Sequence, residues 1–258
     1  MTNKTPLDVA FAAIEHSDAD RLRFYERLVD AELFVLLEAE PVGDQISPSL
    51  FEVEGTGFVL AFDLEERLAA FAGQTSPYVA LSGRALVGML QGQSLGLGLN
   101  LGAPSEYLLP PDVIAWVVAT LDNAPEELQA RPQELKPPAG LPEGLITGLD
   151  TKLALAAGRA HSAYLVQVIY DTGVAGHMLA FIDPAPDAEP ALAQAVAEAL
   201  TFSGVEAGML DVAFFAASDG MAARLAKVGL RFDLPDPAPE EYKPKPPGSD
   251  PDKPPILR

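Results

Sequence analysis

The side chains that most often perform catalysis or bind metal ions are few and widely spaced in this sequence. It contains no cysteine, and its three histidines are His16, His161 and His177. Without cysteine the chain has no disulfide, thiolate nucleophile, zinc ribbon or iron–sulfur cluster. The histidines show neither the HExxH spacing nor another pairing typical of a metal site. We therefore predict no metal, no cofactor and no recognisable set of catalytic residues.

A glycine-rich segment, LGLGLNLG, occupies positions 95 to 102. Its spacing, Gly96-x-Gly98-x-x-x-Gly102, differs from the dinucleotide-binding fingerprint, and it alternates like a strand instead of turning into a helix. Leucines alternate with the three glycines and Asn100, so one strand face is leucine and the other is almost bare backbone. We expect another group to lie close to this bare face, and a ligand, a partner or a second domain could supply it.

Arg84 stands shortly before the glycine-rich segment and beside Ser82. In an acidic protein such a cation could receive a carboxylate or phosphate group, although charged residues on helices usually face solvent. The candidate ligand-binding or partner-binding residues are Ser82, Arg84, Gly96, Gly98, Asn100, Gly102 and Ser105.

The chain is strongly acidic. It has 17 Lys and Arg against 37 Asp and Glu, a formal net charge of -20. Such a charge repels nucleic acid and anionic bilayers at long range, so we predict neither as a partner. The N-terminus lacks the pattern of a signal sequence, and no apolar run is long enough to span a bilayer. These features predict a cytoplasmic protein.

A helix is predicted near residues 18–29 from its amphipathic pattern. Its apolar residues recur on one face and are expected to pack inward: Leu22, Tyr25, Leu28 and Val29. Its charged residues are expected to remain largely in water: Asp18, Asp20, Arg21, Arg23, Glu26 and Arg27.

A length of 258 residues suits two domains. Proline-rich stretches divide the chain into an N-terminal α/β domain, a linker, a C-terminal α+β domain and an extended, disordered tail, at residues 1–122, 123–142, 143–233 and 234–258. Each domain is predicted to contain a mixed β-sheet with covering helices. The helices of the second domain are expected on one side of its sheet.

The order of several motifs resembles that of the SseB family, named for enhanced serine sensitivity. These motifs are LFVLLEAEP, LFEVEGTGFVLAF, DLEERLAAFAG, YVALSGRALVGML, LGLGLNLG and LLPPDVIAWV. The resemblance covers about the first 120 residues, and residues 144–232 look more loosely like the family's separate C-terminal domain. Members tend to have proline soon after the asparagine of the glycine-rich strand, whereas here Leu101 and Gly102 follow Asn100. The resemblance implies a bacterial protein of unassigned biochemistry that is linked by name to serine metabolism.

Three functions remain open at this point. The absence of catalytic motifs favours a non-enzymatic binding or regulatory protein for a protein partner or a small metabolite. An enzyme acting on an amino acid or related small metabolite would need its residues in a cleft between the domains. An oligomeric scaffold, most simply a homo-oligomer, would pair sheet edges or apolar helix faces across a symmetry axis.

Overall fold

The computed structural model describes residues 4–41, 45–121, 131–204 and 210–234. It contains two mixed β-sheets with helices packed on them, which confirms the predicted fold class. The predicted proline-rich tail beyond Leu234 and much of the predicted linker lie outside the described residues.

The first domain contains five helices and six strands in its described part. In chain order these are α1 (Pro6–Ala13), α2 (Asp18–Asp30), β1 (Glu32–Leu36), β2 (Leu50–Val53), β3 (Thr56–Phe62), α3 (Glu65–Ala72), β4 (Tyr78–Ser82), α4 (Gly83–Leu90), β5 (Gly96–Leu99), β6 (Tyr107–Leu109) and α5 (Pro111–Leu121). The sheet order is β4-β1-β3-β5-β6, and β2 also pairs with β3. Strands β3 and β5 are parallel, and the other pairs are antiparallel.

Alternation along β3 gives this sheet two apolar faces. Val59 and Ala61 point into the main core under α1, α2, α4 and α5, whereas Leu60 and Phe62 point to the opposite face. Leu68 of α3 packs on that opposite face. Because successive side chains of a strand project to opposite faces, β3 contributes side chains to two separate cores.

Strand β5 keeps the alternation that its sequence predicts. Leu97 and Leu99 are fully buried in the main core, and the glycines face the other way. A Cβ at Gly96 would lie 2.5 Å from the Phe58 ring, and a Cβ at Gly98 would lie 3.2 Å from Leu60 Cδ2. Side chains of the adjacent strand β3 thus come close to the bare face.

The second domain contains the remaining elements. They are β7 (Pro132–Lys136), α6 (Glu143–Leu155), β8 (Ser162–Tyr170), β9 (Ala175–Ile182), α7 (Glu189–Phe202), β10 (Leu210–Phe215), α8 (Gly220–Val228) and β11 (Leu230–Asp233). The sheet order is β10-β9-β8-β11, with β7 also on β8 and with β9 and β10 parallel. Strand β7 falls inside the stretch predicted as a linker.

Helices cover both faces of the second sheet, so the expectation of helices on one side is wrong. Leu145 of α6 and Leu192 of α7 pack on one face with Leu165. Leu225 of α8 packs on the other face with Val166. Because residues 165 and 166 are neighbours in β8, their side chains project to opposite sides and each needs its own cover.

The two domains pack against each other through helices. Phe202, at the end of α7, is buried in the main core of the first domain. Glu26 of α2 is only 3% exposed, which corrects the expectation that it lies in water. Helix α6 of the second domain covers this charged side of α2, where Arg27 contacts Thr151 and Asp30 contacts Lys152. The charged face of α2 therefore forms part of the interface between the domains.

Candidate functional site

An apolar groove of about 540 Å³ opens on the side of the first sheet that carries the bare face of β5. Its lining residues come from β2, α3, the loop between β5 and β6, and β6 itself. They are Phe51, Phe71, Leu101, Gly102, Glu106, Tyr107 and Leu108.

The strand register places the glycines beneath this groove. Phe51 pairs with Phe58, which pairs with Gly96. One row further, Leu60 pairs with Gly98, which pairs with Leu108. Directly paired residues project to the same side of a sheet, so Gly96, Gly98, Phe51 and Leu108 share one face.

The groove exposes two large aromatic side chains. Phe51 is 45% exposed and Phe71 is 39% exposed, and the Phe71 ring packs 5.4 Å from the buried Phe62 ring. Contiguous exposed apolar surface of this kind marks binding sites more often than single exposed residues do. Glu106 is the one charged side chain in the lining, and its Oε2 accepts a hydrogen bond from the Gly102 amide at 3.0 Å.

A polar network lies at the carboxyl ends of the parallel strands β3 and β5, next to the groove. We call it the strand-end network, and its members are Asp8, Asp63, Arg67, Asn100 and Ser105. Arg67 donates to Asp8 Oδ2 at 2.6 Å and to Asp63 Oδ1 at 2.7 Å. Ser105 Oγ donates to Asp8 Oδ1 at 2.6 Å.

Asn100 holds the turn at the centre of the strand-end network. Its φ of 51° is in the left-handed region, which asparagine tolerates better than most residues. Its Oδ1 accepts from the Asp63 amide at 3.0 Å, and its Nδ2 donates to Ser105 Oγ at 3.2 Å. Ligands often bind at the carboxyl ends of parallel strands, but here these polar groups bind one another and tie α1 to the sheet.

The strand-end network lowers the pKa of Asp8. Burial by itself would raise the pKa of the carboxyl group, but hydrogen bonds from Arg67 and Ser105 outweigh it. The pKa of Asp8 is therefore held well below its ordinary value, and the carboxylate stays charged at neutral pH.

Arg84 binds a carboxylate, and that carboxylate belongs to the second domain. Its Nη1 and Nη2 donate to the two oxygens of Glu198 at 2.9 and 2.7 Å. Lys152 Nζ lies 2.7 Å from Asp30 Oδ2 and 3.1 Å from Glu198 Oε2. We call these four residues, Asp30, Arg84, Lys152 and Glu198, the interdomain cluster.

The seven residues predicted from the sequence thus fall into two regions. Gly96, Gly98 and Gly102 lie at or under the groove, and Asn100 and Ser105 lie in the strand-end network beside it. Ser82 and Arg84 lie elsewhere: Ser82 Oγ accepts from the Ala85 amide at 3.2 Å as the N-cap of α4, and Arg84 joins the interdomain cluster. The structure does not bring these two regions together.

Sequence reasoning did not single out the aromatic walls of the groove or the second-domain half of the interdomain cluster. Phe51 follows Leu50 directly, so one of these two apolar residues must leave the core, and this was an available signal. Lys152 and Glu198 lie in largely apolar helices that also carry the charged residues Glu143, Asp150 and Glu189. Each is buried, at 5% and 3% exposure, whereas Glu143, Asp150 and Glu189 are exposed.

A second apolar groove of about 380 Å³ lies in the second domain. It is lined by Pro138, Ala139, Gly140, Leu141, Ile146, Val228, Gly229 and Leu230. None of these side chains carries a polar group. Within the described residues we find no cluster of histidine or carboxylate side chains fit to hold a metal ion, and no helix long and apolar enough to cross a membrane.

Residues 7–116 match the family model of the SseB protein N-terminal domain. The first domain is an SseB domain. The match ends within α5, and no family model matches the second domain. No curated protein and no solved structure matches the chain. The groove and the strand-end network lie within the SseB domain, whereas Lys152 and Glu198 lie beyond it.

Proposed function

We propose that this protein is a non-enzymatic binding protein and that its SseB domain binds an apolar segment of a partner protein. The observation that carries the proposal is the groove, where two half-exposed phenylalanines flank a glycine strand. Burying exposed aromatic surface is a strong source of binding free energy, and aromatic residues are frequent at the centre of protein interfaces.

The groove suits a protein segment better than a free amino acid such as serine. A bound serine would bring an ammonium and a carboxylate, and the carboxylate would need a cation or several hydrogen-bond donors. Glu106 is the charged residue in the lining, and the nearby Arg67 is already bound to Asp8 and Asp63. Any link to serine sensitivity would then operate through the partner protein.

The sheet edge beside the groove supports the same reading. Strand β6 pairs with β5 and ends the order of the described strands. An edge strand offers main-chain donors and acceptors that an extended peptide can pair with, while neighbouring pockets take its side chains. Small metabolites make little use of such an edge.

The charge of the protein supports a more specific proposal for the partner. Glu106 lies in the groove, and the whole chain carries a formal charge of -20. A segment with lysine or arginine next to its apolar residues would be attracted at long range and would place a cation near Glu106. The proposed ligand is therefore an extended segment that is both apolar and basic.

An enzyme with its active site between the domains receives less support. The charged groups that meet there, Arg84, Lys152, Asp30 and Glu198, already bind one another at 2.7 to 3.1 Å in their closest contacts. A catalytic acid or base in that cleft would first have to leave its ion pair.

Selection of random peptides displayed on phage, against the full-length protein, tests the proposal. We expect enrichment of peptides that combine aromatic or aliphatic residues with lysine or arginine. In fluorescence anisotropy, Phe51→Ser and Phe71→Ser should each weaken binding of an enriched peptide by about tenfold or more. Glu106→Gln should weaken binding less than these two substitutions do. Its effect should be larger at low ionic strength, where charges are less screened.

The matched control is Val174→Ser, which removes an exposed apolar side chain, 62% accessible, from the second domain. It should leave the peptide affinity unchanged. Equal affinity of all these variants, or enrichment of acidic peptides, would contradict the proposal. A thermal shift with serine that Phe51→Ser abolishes would instead make the groove a metabolite site.

A further inference from the structure

The helix α2 turns a charged stripe toward the second domain. Arg23, Glu26, Arg27 and Asp30 are spaced three and four residues apart, so they share one helix face. Arg27 Nη2 donates to Thr151 Oγ1 at 2.7 Å, and Asp30 binds Lys152. Arg23 reaches the start of α6, where its Nη2 would lie 3.3 Å from a Cβ at Gly144.

Glu26 lies in the middle of this stripe without a full set of partners. It is 3% exposed, and its Oε1 accepts no hydrogen bond. Among the buried side-chain oxygen and nitrogen atoms of the described residues, this is the one left without a partner. An ionised carboxylate in that position would lose its hydration and would gain few hydrogen bonds in return.

Charged groups of both signs surround Glu26. In the interdomain cluster, Lys152 and Arg84 neutralise Asp30 and Glu198. Lys152 is thus shared between two acids and Arg27 donates to Thr151, so the two cations that most attract Glu26 are bound to other groups. The charged groups near Glu26 are Arg23, Arg27 and Asp30 on α2, Lys152 on α6, and beyond these Glu198 on α7 and Arg84 on α4. On α1, which also packs on α2, Asp8 is bound to Arg67.

We propose that Glu26 makes the packing of the two domains sensitive to protons. The carboxyl group is neutral while the domains are packed together, and it ionises when they part and water reaches it. The inference is independent of the proposed peptide-binding function, because it concerns the opposite side of the first sheet from the groove.

The direction of the effect follows from the two protonation equilibria. Burial raises the pKa of Glu26 to about 7, against the attraction of Lys152 and Arg27, from an ordinary value of 4.5. Between these two values the packed form keeps a proton that the parted form has lost. The equilibrium constant for parting therefore rises up to about tenfold per pH unit in this range and levels off above it.

Hydrogen exchange of the full-length protein, followed by mass spectrometry, measures this equilibrium. Amides of α2, α6 and α7 should lose protection between pH 5 and pH 8, by about 100-fold after correction for the intrinsic exchange rate. Glu26→Gln, which fixes a neutral side chain, should remove most of that pH dependence. Asp18→Asn, a change at an exposed acid of the same helix, should behave like the wild type.

A second measurement covers the case in which Glu26→Gln does not fold. Carbon NMR of glutamate side chains in the wild-type protein should show one carboxyl group titrating near pH 7. An ordinary titration of every glutamate near pH 4 to 5 would overturn the proposal. Equal pH dependence of exchange in the wild type and Glu26→Gln would overturn it as well.

Discussion

Arg84 and Glu198 are 114 positions apart and form a bidentate ion pair that joins the two domains. The two partners differ in exposure: the Arg84 side chain is 44% exposed, whereas that of Glu198 is 3% exposed. This asymmetry decides which of the two residues is harder to replace, since loss of a buried charge leaves other buried charges unpaired.

Replacement of Glu198 should therefore destabilise the protein more than replacement of Arg84. Glu198→Ala leaves Lys152 buried with one acid fewer, and we expect a loss of about 3 kcal/mol. Arg84→Ala should cost about 1 kcal/mol, because water can replace part of the interaction. Urea unfolding at constant ionic strength measures both. Arg21→Ala, at the exposed pair with Asp18, is the control and should have little effect.

Gly96 and Gly88 should respond to alanine in opposite directions. A Cβ at Gly96 would lie 2.5 Å from the Phe58 ring and 2.6 Å from the Leu109 carbonyl oxygen, and we expect a loss of about 3 kcal/mol. A Cβ at Gly88, within α4, meets nothing within 4 Å, and alanine there should stabilise the helix by about 0.5 to 1 kcal/mol. Thermal and urea unfolding distinguish the two. Similar effects of both substitutions would show that close packing at β5 is not the cause.

Phe51 and Phe58 are directly paired across β2 and β3 but should differ in their contribution to folding. Phe58 is buried, so Phe58→Ser should cost about 4 kcal/mol. Phe51 is half exposed, and Phe51→Ser should cost about 1 kcal/mol or less. The free energy of unfolding in urea checks this. A large loss for Phe51→Ser would mean that the groove wall serves the fold more than a partner.

Glu26→Gln should become more stabilising as the pH rises. The raised pKa of Glu26, about 7, means that wild-type stability is fully present below the unfolded value near 4.5 and falls until the pH exceeds 7. The variant lacks this loss. Its advantage over the wild type should grow by about 3 kcal/mol between pH 5 and pH 8, as measured by urea unfolding at several pH values. A constant difference across that range would contradict the raised pKa.

The order of elements was predictable because local patterns determine it. The alternation of leucine and glycine in β5 predicts one buried and one bare face, and Leu97 and Leu99 are indeed fully buried. Such a pattern says which face is apolar and not what covers it. The helix α8 on the second face of the C-terminal sheet shows this, because its Leu225 meets Val166 only after the chain has folded back.

The environment of Glu26 could not be predicted for the same reason. A charged residue on an amphipathic helix usually faces water. Here the covering groups come from α6, where Lys152 lies 122 positions from Asp30, and no local pattern connects them. The groove could not be predicted from local patterns either. Phe51 and Phe71 line the same groove only because of the strand pairing and the position of α3.

Phe202 affects where a fragment of this chain that contains the first domain can end. Its side chain, 1% exposed, fills space in the core of the SseB domain although it belongs to the other domain. A fragment that ends at Leu121 would contain the whole family match and still lack one of its own core side chains. The segment that matches the family model is thus shorter than the segment whose side chains complete this core.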